Sequence, residues 1–95
     1  MNTRYELSCV AKNYISCYYE ILDCMIEKMT NAKTGCSISQ SFINQMIPHH
    51  EGGIAMCRNA LRFSICPQLR AMLKEAVKTQ AKGIEEMKKL LQCKA

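Results

Sequence analysis

Apolar residues recur in alternating three- and four-residue steps along three long stretches of this chain, and that spacing commits it to an all-α fold. In the first stretch one seam runs Leu7, Val10, Tyr14, Cys17, Ile21, Cys24. A neighbouring seam runs Ala11, Ile15, Tyr18, Leu22, Met25, Met29, so the apolar face is two stripes wide. Asn13, Ser16, Glu20, Asp23 and Glu27 fall on the opposite face, with Cys9 in the same polar row. The second stretch carries Ile43, Ile47, His50, Ile54, Cys57 and Leu61 beside Phe42, Met46, His49, Gly53, Met56, Ala60 and Phe63. It leaves Gln45, Glu51, Arg58, Asn59 and Arg62 outside. The third carries Leu69, Leu73, Ala76, Gln80, Gly83, Met87 and Leu90, widened by Val77, Ala81, Ile84 and Leu91.

These patterns predict helices over about 3–31, 38–63 and 67–92. The first break, Asn31 to Ser37, holds Gly35, which can supply a positive φ. Ser37 or Ser39 can cap the second helix, and Pro67 suits the first turn of the third. Pro48 lacks an N–H and crowds the carbonyl of Asn44, which predicts a kink in one continuous helix, with Gly53 as a gap beyond it. Two helices meeting at Pro48 is the alternative. Three helices of similar length joined by short turns form an antiparallel bundle. A chain of 95 residues makes a single domain over 1–95. Its apolar faces are wider than three helices need, which points to a homodimer that completes a larger bundle.

No stretch is long and apolar enough to span a membrane, and the first twenty residues have no apolar signal-peptide core. Seven cysteines, an odd number without a Cys-x-x-Cys pair, argue for reduced thiols and a cytoplasmic setting. The net charge of +5 suits an anionic partner without demanding one.

Chemistry concentrates in the second helix. His49 and His50, the only two histidines, fall on adjacent apolar seams. A buried imidazole needs a partner. Met46 stands one turn before them, Met56 seven residues after His49, and Cys57 seven after His50. Imidazole, thioether and thiolate together select soft ions, above all Cu(I) and Ag(I). The competing reading is a polar core layer in which Gln80, Tyr14, Tyr18 or water satisfies the histidines, and Gln80 is the favoured outer-shell partner. No Glu stands three residues before either histidine, which argues against a di-iron carboxylate site. Cys57 and His50 are too far apart along the helix for a hydrogen-bonded nucleophile–base pair. A non-enzymatic protein is the expectation. Arg70, Lys74, Lys78 and Lys82 form a basic row on the third helix, which keeps a metal-responsive DNA-binding protein as a further alternative.

The segment Phe42-Ile43-Asn44-Gln45-Met46-Ile47-Pro48-His49-His50-Glu51-Gly52-Gly53-Ile54-Ala55-Met56 resembles the signature of the domain-of-unknown-function 305 family. The run from Gln80 to Met87 is similar to that family's third-helix pattern, so the likeness covers about 39–91. The resemblance implies a ferritin-like helical bundle, an association with copper or silver binding and tolerance in some relatives, and no catalysis. It implies metal roles for Met46, His49, His50 and Met56. The chain departs from the pattern at Ser39, Gly53 and Gly83, where the family usually has Asp, Ala and Glu.

Overall fold

A computed structural model describes residues 2–92, with side-chain surroundings over 10–92. It contains three helices, α1 (Asn2–Thr30), α2 (Ile38–Leu61) and α3 (Pro67–Leu90), and no strand among the described residues. Each bound lies within two residues of the one its apolar periodicity predicts. Leu7 and Cys9, assigned to a seam and to the polar row, lie outside the described side chains.

The helix ends follow from local chemistry. Ser37 caps α2 by accepting the backbone N–H of Gln40 at 3.2 Å, and Gln40 Oε1 accepts from the backbone N–H of Cys36 at 3.1 Å. Gly35 does not adopt a positive φ, contrary to expectation. Its lack of a side chain serves close approach instead, because a Cβ there would collide with the Gln40 side chain. At the other end of α2, Arg70 donates to the carbonyls of Leu61 (3.2 Å) and Phe63 (2.6 Å). These carbonyls lie at the helix end, where no following turn supplies N–H partners. Pro67 opens α3. α2 runs unbroken through Pro48, as one helix and not two.

Both outer helices pack on α2, and among the described residues neither touches the other. Met25 of α1 lies on Gly52, and Asn59 Nδ2 donates to the carbonyl of Tyr14 at 3.1 Å, so α1 and α2 run antiparallel. On the other side Gln80 lies on Gly53 and Gly83 lies beside His50, so α2 and α3 are antiparallel too. The result is an open layer about one helix thick, 59 × 26 × 13 Å. The tight α1–α2 approach depends on Gly52, where a Cβ would meet Met25 Cγ at 2.8 Å.

This openness leaves little core. Ile43 (6% exposed) and Ile84 (7%) are the buried apolar side chains among the described residues. Each outer helix is covered only along the part of its apolar face that meets α2. Ile15 and Tyr19 on α1, and Met72 and Leu90 on α3, stay exposed. Asn59 reverses its predicted placement. It is 3% exposed, because it points at α1 and pairs there, while its Oδ1 accepts from Arg62 at 2.8 Å.

Candidate metal-binding seam

The two histidines leave α2 about 100° apart around its axis, as consecutive helical residues must. Their rings sit 5.9 Å apart and tilted by 59°. Because α1 and α3 flank α2 on only two sides, one histidine faces a neighbour and the other does not. His50 is half-buried against α3. His49 is exposed, which corrects its placement in the core. Within one chain the two histidines therefore do not form a buried layer.

The hydrogen bond of His50 sets its chemistry. Its ring Nδ1 lies 2.9 Å from the carbonyl of Met46, one turn back. A carbonyl oxygen only accepts, so Nδ1 carries the proton and donates. In the neutral ring the lone pair is then on Nε2. That nitrogen points at α3, where a Cβ on Gly83 would stand 3.7 Å from Nε2 and 3.4 Å from Cδ2. The partner is backbone of the same helix and not Gln80, Tyr14 or Tyr18. This is the arrangement in which a ligand histidine has its tautomer and orientation locked by its second nitrogen.

The remaining sequence-predicted residues separate along α2. Met46 is half-buried on the His50 stripe. Met56 lies on the same stripe as His49, about 10 Å along the axis from it, but is half-buried where His49 is exposed. Cys57 is a half-buried free thiol two turns beyond His50, at about the same distance, so it does not join His50 in one cluster. Gln80 rests its amide on the bare backbone of Gly53, with Oε1 and Nε2 2.5 and 2.6 Å from where a Cβ would be. Gly53 is thus the place where α3's amide reaches the α2 backbone. Pro48 faces the α1 side, in a groove with Cys24, Met25 and Gly52.

One residue was missed. The pairs His50–Gly83 and Gly53–Gln80 set the antiparallel register of α2 on α3. One turn further along, that register carries Met87 to the level of Met46, and both are half-buried. Met87 was legible as a seam residue, but its partner could be named only once the register was known. The seam thus offers an imidazole Nε2 and two thioethers at adjacent levels. Among the described residues no three His, Cys, Asp or Glu side chains gather. Thioether and imidazole fit a soft monovalent ion better than a hard one.

The basic row on α3 is shortened, because Arg70 is committed to the α2 carbonyls. Lys74, Lys78 and Lys82 remain exposed. No helix of the described residues is long and apolar enough to cross a membrane.

No curated protein matches the chain. A family model described as a domain of unknown function (DUF305) matches residues 22–91, nearly three-quarters of the sequence, including the last third of α1 and all of α2 and α3. The chain therefore belongs to the DUF305 family.

Proposed function

We propose that this protein binds a soft monovalent metal ion, Cu(I) or Ag(I), without catalysing a reaction, and serves metal tolerance or storage. The observation that carries this reading is the His50 imidazole, proton fixed on Nδ1 by the Met46 carbonyl and Nε2 turned toward the side-chain-free Gly83. His50, Met46 and Met87 form the primary donor set. His49 and Met56 supply further soft donors on the open face, and Cys57 a thiolate two turns away. The protein acts as a homodimer with a ferritin-like arrangement of helices. Cys17, Cys24, Cys36, Cys57 and Cys66 are all free thiols, which suits the reducing cytoplasm.

The test is a titration of reduced protein with Cu(I) against a competing chelator. His50→Ala is expected to weaken binding at least tenfold, the usual scale for removing a ligand or its supporting shell. Met46→Leu and Met87→Leu keep the apolar volume and are expected to weaken it too. Wild-type affinity retained in His50→Ala would show that the seam does not hold the metal.

A further inference from the structure

One broad face of the layer has no cover, and along α1 and α2 it carries no charged side chain among the described residues; Glu86 stands at its α3 edge. The groove between α1 and α2 marks the opposite face, where Glu20, Lys28, Glu51 and Arg58 reside. Turning to the other side of α1 brings up Ile15, Tyr18, Tyr19, Leu22 and Ile26, a stripe without a single Asp, Glu, Lys or Arg. The matching stripe of α2 reads Phe42, Gln45, His49, Met56, Phe63, again uncharged. Tyr14 reaches Phe63 edge-on across the two helices, with ring centroids 5.9 Å apart. Leu90 of α3 lines a hollow with Phe42, and Met72 lies on the Leu90 stripe. Exposure on this face is high for apolar side chains: 55% for Tyr19, 56% for Phe42 and 67% for Met72.

The areas say how much is missing. The chain exposes 7193 Å². A compact monomer of 10.8 kDa exposes about 5,500 Å². The radius of gyration is 16.8 Å, against about 12 Å for a compact 95-residue domain. The excess of roughly 1,600 Å² is what each partner loses in an obligate homodimer.

We propose that a second copy of this chain docks face to face on this side, over the uncharged stripes of α1 and α2, and buries His49 at the centre of the contact. His49 sits at the midpoint of α2, and α2 is the middle helix of the layer. In an isologous dimer the two-fold axis passes through the middle of the shared patch. The His49 side chains of the two copies therefore come together near the axis. His49 and Met56, which find no further donor on the open face of one chain, gain the same residues from the other. This rests on the homodimer reading and not on metal occupancy.

Sedimentation equilibrium of the wild-type protein is expected to give twice 10.8 kDa. Tyr19→Glu with Ile26→Glu should give a helical monomer, whereas Val10→Glu, on the opposite side of α1, should stay dimeric. A photo-crosslinking residue in place of His49 should yield a covalent dimer, and one in place of Glu51 should not. If the double variant fails to fold, the crosslinks decide alone. A monomeric wild type, whether or not it binds lipid vesicles or another protein, overturns both the homodimer and this inference. A dimer that crosslinks through position 51, or that Val10→Glu dissociates, overturns this inference and leaves the homodimer standing.

Discussion

At the scale of single residues, three glycines in two helices look alike in the sequence and do different work. Gly52 admits Met25, Gly53 admits the Gln80 amide, and Gly83 faces the His50 ring at ordinary van der Waals distance. Adding one methyl group should therefore have opposite effects. Gly83→Ala meets its nearest atom at 3.4 Å and removes a helix-interior glycine, so it should raise stability by about 1 kcal/mol. Gly52→Ala forces Met25 aside and should lower it by about 1–3 kcal/mol. Urea denaturation of the two variants checks both signs. Asn59 is a similar lesson in direction. Its Nδ2–H bond to Tyr14 crosses from α2 to α1, and Asn59→Ala should cost about 1–2 kcal/mol in the same assay. A surface asparagine would cost almost nothing.

At the scale of elements, helix boundaries were legible because they depend on local chemistry: apolar spacing, Ser37 as a cap, Pro67 in a first turn. Partners were less legible. Periodicity ranks the faces of a helix relative to one another but does not say how many of them a neighbour covers. His49 and Asn59 were misplaced for that reason. A closed bundle would bury His49 and expose Asn59, whereas an open layer does the reverse. Spacing put His50, Met46 and Gln80 on the faces that meet between α2 and α3, but Gln80 rests on Gly53 and does not bond His50, and the level of Met87 awaited the α2–α3 register. The turn between those helices has its own fastening. Arg70→Gln removes the guanidinium from two carbonyls at the end of α2 and should cost about 2 kcal/mol, the scale of a charge-assisted bond. Hydrogen exchange at the last turn of α2 should accelerate more than exchange near Ile43.

At the scale of the whole molecule, the proposed homodimer ties stability to association. Two buried apolar side chains among the described residues make a thin core for a domain of this size. The native state is then stabilised by whatever covers the exposed stripes, and mass action applies. The melting temperature should rise as protein concentration is raised over two decades, read by circular dichroism. A concentration-independent melting temperature would show that the single layer is stable by itself.

The absence of contact between α1 and α3 has one more consequence. The α2–α3 hairpin holds His50, Met46, Met87, Gly83 and Gln80 without help from α1. The first helix is fastened to α2 through Met25 over Gly52 and through the Tyr14 carbonyl, which accepts from Asn59. The family match takes up the chain at Leu22, inside α1, and holds it through the end of the hairpin, so Met25 falls within it and Tyr14 outside. Loosening α1 should therefore leave the His50 seam in place, because only α2 and α3 build it.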